Sequence, residues 1–281
     1  VSPAFLREIC ESRFDFVPGA LRGEIANKFA AHCATGILNA PNPSYDPATD
    51  MALSRRYDAE TAGRGKQENK RALQKKLGLT QSDRAPVFFW PSRLDPVQKG
   101  CQLMAEILFE ITNLYARDSL QVVFVANGSF QRHFHDIVRM HGLQKRVAVC
   151  NFNEELSRLA YAASDFVLMP SLFEPCGLPQ MISCKYGSLP VARDTGGIHD
   201  TITDLVVEKS AGNGFLFRDY DANALRWSIG RAMLFHRLPD EIRQQQIARI
   251  MRASADRFTH AVTARGYMNL YERVLERPLI R

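Results

Sequence analysis

From residue 86 onward, short apolar runs alternate with longer amphipathic stretches. The runs fall at 87–90, 122–126, 147–150, 166–169, 189–192 and 214–217 and are rich in Val, Phe and Leu. Each has the length of a strand and is almost continuously apolar, the pattern of a strand buried on both faces. Between them, stretches 97–115, 130–141, 153–163, 178–186 and 197–203 read as helices. Such alternation predicts an α/β fold with a doubly wound, Rossmann-like parallel sheet, helices on both faces and ligands at the carboxyl ends of the strands. Two or three helices close the chain, at 221–235, 239–256 and 260–276. The last carries Tyr267, Leu270, Tyr271, Val274 and Leu275 at helical spacing. That stripe is either core packing or a face for something outside this chain.

Upstream of 86 the pattern weakens. Short helices are predicted at 3–10 and near 21–32, and Pro41-Asn42-Pro43 then interrupts regular structure. A polar helix at 66–77 ends at Gly78, a suitable C-cap.

Composition narrows the class without changing the fold. The 281 residues are 46% hydrophobic and 23% charged, ordinary for a globular protein. No apolar run reaches about 18 residues, so no membrane-crossing helix is expected. Residues 1–10 lack the basic-then-apolar order of a signal peptide, and the first residue, Val1, suggests a piece of a longer protein. Net charge is +6 with Lys and Arg dispersed. This favours a solvated surface with a few phosphate-binding cations over a nucleic-acid interface. Six cysteines (Cys10, Cys33, Cys101, Cys150, Cys176, Cys184) show neither C-x-x-C nor zinc spacing and read as thiols in a reducing compartment. The seven histidines form no metal pair. The dinucleotide fingerprint, the phosphate-binding P-loop and the nucleophile elbow are all missing, so dehydrogenase, NTPase and serine-hydrolase readings lose their best support.

Candidate chemistry gathers in loops that follow the strands. W-P-S-R-L-D-P-V-Q-K-G, after the first, offers Arg93 and Lys99. Two cations there could stabilise a diphosphate leaving group, or could simply be surface residues. P-S-L-F-E-P-C-G-L-P-Q, after the fourth, puts Glu174 at a strand end and Cys176, Gly177 and Leu178 at a helix start. The carboxylate could accept sugar hydroxyls while backbone N–H groups face a phosphate; alternatively Glu174 merely complements the helix dipole. After the fifth strand, Thr195, Gly196 and Gly197 form a turn without bulk, through which backbone could approach a phosphate. Phe152, after the third, could stack on a base or belong to the core. One such loop is weak evidence; three on one sheet edge surround one crevice.

Together these segments resemble the bacterial glycogen synthase and plant starch synthase family of GT-B glycosyltransferases. V-S-P at residues 1–3, G-I-L-N-A, P-A-T-D and E-N-K-R are similar to the family's interdomain and flanking segments. S-R-L-D-P-V-Q-K-G, P-S-L-F-E-P-C-G-L, K-Y-G-S-L-P-V-A-R-D-T-G-G-I-H-D-T and G-N-G-F-L-F are similar to its donor-site signatures. The resemblance implies two Rossmann-like domains across a cleft, of which this chain is the second. Residues 1–85 would be the edge of the first domain, the interdomain segment and a helix. Residues 86–257 would be the nucleotide-sugar domain, and 258–281 a helix crossing back. It implies that Arg93 and Lys99 neutralise the donor diphosphate. Glu174 would bind glucose, with the backbone at Cys176, Gly177 and Leu178 on glucose and phosphate. Thr195–Gly197 would lie nearby and Phe152 against the adenine. The implied reaction transfers glucose from ADP-glucose, or sometimes UDP-glucose, to the non-reducing end of an α-1,4-glucan with retention and without a metal or other cofactor. The implied compartment is the bacterial cytoplasm or the plastid stroma, with no nucleic-acid or membrane partner. The N-terminal GT-B domain is then a required partner, and this half is expected to be inactive alone.

Several positions depart from the family's pattern. The spacing from Arg93 to Lys99 is one residue longer than usual, with Pro96 and Val97 in the gap. Leu172 stands for a frequent basic residue, Pro179 for Thr and Phe152 for Tyr. Ile182 occupies the place where other GT-B enzymes, such as sucrose synthase, carry a second Glu. Besides such relatives, a non-catalytic nucleotide-sugar-binding module remains an alternative.

Overall fold

The computed structural model describes residues 1–276. Two helices, α1 (Pro3–Cys10) and α2 (Gly19–Ala30), precede an irregular segment and α3 (Ala62–Leu77). The repeating part follows: β1 (Val87–Trp90), α4 (Cys101–Leu114), β2 (Gln121–Val125), α5 (Gln131–Met140), β3 (Val147–Cys150), α6 (Glu154–Ala163) and β4 (Phe166–Met169). Then come α7 (Pro179–Lys185), β5 (Leu189–Arg193), α8 (Gly196–Thr201), β6 (Phe215–Phe217), α9 (Ala222–His236), α10 (Asp240–Arg257) and α11 (His260–Leu275).

The six strands form one parallel sheet in the order β3-β2-β1-β4-β5-β6. β1 and β2 are buried at every position, as their unbroken apolar runs require. Right-handed crossovers put helices on opposite faces for the two directions in which the strand order grows. Accordingly α4 meets α5 and α9 on one side, while α3, α6, α7 and α10 meet on the other. Helix α3, upstream of position 86, therefore belongs to a layer of the sandwich.

Two predicted helices shift at their starts. The polar helix begins at Ala62, four residues before the predicted start, with Gly63 and Gly65 within its first turn. Gly65 is there because the Tyr57 ring lies where its Cβ would be. It ends at Gly78 in the left-handed conformation, as expected. The stretch predicted as helical from 97 becomes helical only at Cys101. Gly100 stops it, with φ +70 and a Cβ position 2.1 Å from the Pro170 carbonyl oxygen. That contact brings the loop after β1 against the loop after β4, where the strand order reverses.

The final helix leaves its stripe uncovered: Tyr267, Tyr271, Val274 and Leu275 are exposed, so it is not core packing among the described residues. Of the cysteines, Cys101 and Cys184 are buried and Cys33 is exposed. No helix of the described residues is long and apolar enough to cross a membrane.

Candidate functional site

Three loops converge at the carboxyl edge of the sheet, after β1, β4 and β5. The first holds Lys99. Asp95 Oδ1 accepts the amides of Val97 and Gln98, and the Asp95 carbonyl accepts the Lys99 amide at 2.9 Å. Asp95 thus caps a single helical turn, with Pro96 at its first position. The turn directs Lys99 inward. Its Nζ donates to Glu174 Oε2 at 2.6 Å, and both side chains are about nine-tenths buried. The Ser171 hydroxyl donates to the same oxygen at 3.2 Å.

This geometry removes one of the two readings of Glu174. It lies before α7, whose first turn has no acid, so it is not a dipole-complementing residue of that helix. It is a buried carboxylate facing a buried ammonium. Arg93 behaves differently: it is exposed, with only a long 3.5 Å contact to Gln98 Oε1. Gln98 in turn donates to the Phe173 carbonyl at 3.3 Å, so it sits between Arg93 and the loop holding Glu174.

Past Glu174 the backbone turns. Gly177 adopts φ +69, and Leu178, exposed, caps α7. The N–H groups of Cys176, Gly177 and Leu178 have no acceptor among the described residues. Cys176 Sγ accepts the Asn39 amide at 3.4 Å, which brings the segment 36–40 to the same loop. Burial pushes the Cys176 thiol pKa up.

The turn after β5 differs from its expectation. Its amides are already engaged: Gly196 N–H donates to Glu8 Oε1 at 2.9 Å and Gly197 N–H to the Glu174 carbonyl at 2.7 Å. The Thr195 hydroxyl also donates to Glu8, at 3.2 Å. A Cβ on Gly197 would lie 1.7 Å from the Cys176 carbonyl oxygen. The missing bulk admits the neighbouring loop, so these glycines hold the Glu174–Leu178 segment in place instead of presenting free amides to a phosphate.

Phe152 is 55% exposed, so it is not a core residue. Its amide donates to Asn127 Oδ1 at 2.9 Å, and the Asn127 carbonyl accepts the Leu94 amide at 2.9 Å. It therefore flanks the loop that carries Arg93. Among the described residues no group of three or more His, Cys, Asp or Glu is placed to hold a metal ion.

Two contributors escaped the sequence reading. Glu8 is one; it lies on the buried face of α1 with Ala4 and Phe5, and an acid on an apolar face was the available signal. Arg193 is the other. It donates to the Leu172 carbonyl at 2.6 Å and the Arg218 carbonyl at 3.0 Å, tying the β4, β5 and β6 loops together. Burial depresses its pKa.

Comparison with known proteins gives this arrangement a lineage. Residues 85–233 match the sequence profile of the group 1 glycosyl transferases. The chain is 36% identical to glycogen synthase of Bacillus licheniformis over 98% of its own length and 54% of that protein's. It is also 36% identical to glycogen synthase of Desulforudis audaxviator, over 99% of this chain and 53% of that protein. In structure it is similar to the catalytic domain of starch synthase IV from Arabidopsis thaliana bound to ADP and acarbose. That match has a TM-score of 0.85 and 31% identity, covering 99% of this chain and 55% of that one. The chain thus spans about half the length of the curated relatives it matches. With these three loops on one edge of a doubly wound sheet, the chain belongs to the group 1 glycosyl transferases.

Proposed function

We propose that this chain is the donor-binding half of a retaining glucosyltransferase of the glycogen and starch synthase type, taking ADP-glucose, or alternatively UDP-glucose, and extending an α-1,4-glucan. The buried Lys99–Glu174 pair carries this reading. Its two members match the two needs of a nucleotide sugar, a cation for the diphosphate and an acceptor for the sugar hydroxyls. Without donor they neutralise one another. With donor bound, phosphate takes over Lys99 and glucose hydroxyls take over Glu174, so the site trades one set of charge-assisted bonds for another.

Cleavage of the glucosyl–phosphate bond builds negative charge on the departing diphosphate. Lys99 and the exposed Arg93 stabilise that charge, and the unengaged amides of Cys176–Leu178 add donors at no reorganisation cost. Phe152 offers a ring face to the base. The similarity to a starch synthase domain bound to ADP and acarbose supports a nucleoside diphosphate and a sugar chain as ligands. A second Rossmann-like domain completes the cleft and brings the acceptor, so this half is inactive alone.

Transfer of labelled glucose onto maltooligosaccharide, with the partner domain present, tests the reading. Arg93→Ala and Lys99→Ala are each expected to lower kcat/KM for the donor about 100-fold or more. Near-normal turnover in either variant refutes the role given to that residue. Failure of ADP to bind this chain at millimolar levels refutes the donor site itself.

A further inference from the structure

A groove lies just beyond the donor loops, where β5 and β6 end. Asp194, which immediately precedes Thr195, forms its inner edge, and α9 its outer wall. Trp227 on that wall is 58% exposed, although the chain buries its other tryptophan, Trp90, completely. The ring is held in place. Arg231, one turn later, packs its guanidinium 4.9 Å from the ring centroid and is itself fixed by Asp204 through two bonds of 2.8 and 2.7 Å. One face of the indole is therefore backed by a cation, and the ring is presented to solvent with little rotamer freedom left to lose.

Two polar groups beside it are idle. The side chains of Asn223, one turn before Trp227, and Asp219 line the groove, and neither has a partner among the described residues. A rigid flat apolar surface flanked by unengaged amide and carboxylate groups is the complement of a sugar, whose C–H face stacks while its hydroxyls bond outward. The charge of the groove points the same way. Four carboxylates and two guanidiniums line it, on a chain whose net charge is +6. A net negative groove repels phosphate-bearing ligands and tolerates a neutral, hydroxyl-rich one.

We propose that this groove binds the α-glucan acceptor at a distance from the transferring end, with Trp227 as stacking platform and Asn223 and Asp219 as hydroxyl partners. The inference rests on the glucan-synthase reading above. A polymer whose end sits in the cleft has further units to place, and the groove adjoins the Thr195–Gly197 turn through Asp194. The site would hold long glucans and leave short ones unaffected.

The test uses the protein as its gene encodes it, with Trp227→Ala, Trp227→Phe and Asn223→Ala variants. Mobility in gels containing glycogen reports binding, and transfer to glycogen and to maltotriose reports function. Trp227→Ala is expected to abolish most of the glycogen retardation and raise KM for glycogen about tenfold. Maltotriose kinetics should stay within about twofold of wild type, and Trp227→Phe should restore most of the retardation. Unchanged retardation in Trp227→Ala overturns the proposal, as does an equal loss on both acceptors, which marks general damage and not a glucan site. Wild-type protein that transfers glucose to neither acceptor refutes the function proposed above instead.

Discussion

The carboxylate of Glu8 accepts the amide of Gly196 at 2.9 Å, so an acid from α1 sits on the first turn of α8. The tie is reciprocal. Asp200, in α8, accepts the amide of Ala4 at 2.7 Å in the first turn of α1. Each helix supplies the acceptor that the other's N-terminal N–H groups lack. Glu8→Ala removes the acceptor of the Gly196 amide and the Thr195 hydroxyl in a buried setting, and should cost about 1–3 kcal/mol. Glu8→Gln keeps an acceptor and loses the charge, so it should cost less than Glu8→Ala. Urea unfolding measures both; an alanine variant as stable as wild type removes Glu8 from the list of structural ties.

Lys99 and Glu174 make a second testable tie, one in which stability and function pull apart. Removing either partner leaves the other charge buried and unpaired, at a cost of about 3–5 kcal/mol. Removing both, as Lys99→Met with Glu174→Leu, should cost clearly less than the sum of the singles. The difference is the coupling between them, read from a double-mutant cycle of denaturation free energies. Additive single effects would mean that the 2.6 Å contact contributes nothing in solution. On the donor role proposed for the pair, the double variant should be inactive whatever its stability, because both charges are gone.

How much of this was visible beforehand follows from the physics of each feature. β1, β2 and β4 were legible because burial on both faces demands unbroken apolar runs, and four residues of Val87–Trp90 suffice to show it. The start of α4 was not, because Asp95-Pro96 opens a turn that only Gly100, closing on Pro170, prevents from continuing. The candidate residues were legible as positions after strands, yet their partners were not. Nothing local says that Glu8 meets Gly196, a contact 188 residues apart in sequence. The glycines after β5 looked like room for a ligand. They are room for the Cys176 carbonyl, a distinction that only tertiary packing makes.

That distinction predicts opposite signs for two glycine substitutions. Gly197→Ala places a Cβ 1.7 Å from the Cys176 carbonyl oxygen, backbone that cannot rotate aside. The loop must shift and take the Gly197–Glu174 bond with it, at a cost of about 3 kcal/mol. Gly23 lies inside α2, and a Cβ there meets nothing within 4 Å. Gly23→Ala should therefore stabilise by about 0.5–1 kcal/mol through the lost freedom of the unfolded chain. Thermal melts of the two variants decide it. A tolerated Gly197→Ala would mean that the β4 and β5 loops are less tightly docked than this geometry requires.

Lys66 gives a prediction in pH. Its Nζ donates to the carbonyls of Ala162 and Tyr186, at 3.1 and 3.0 Å, at the C-terminal ends of α6 and α7. Burial pushes its pKa down to about 7; Asp165 opposes that shift and Lys70 adds to it. The unfolded chain keeps this lysine near its ordinary 10.5, so between about 7 and 10.5 the unfolded state holds more protons than the folded one. Folding stability attributable to Lys66 therefore rises with pH across that window. Lys66→Met removes the titration, and the difference between wild type and variant cancels the remaining groups. Wild-type stability relative to the variant should increase by about 1–2 kcal/mol between pH 7 and 8.5, in urea unfolding at the two pH values. A difference that is flat across this range would show that the helix-end carbonyls keep Lys66 charged despite its burial.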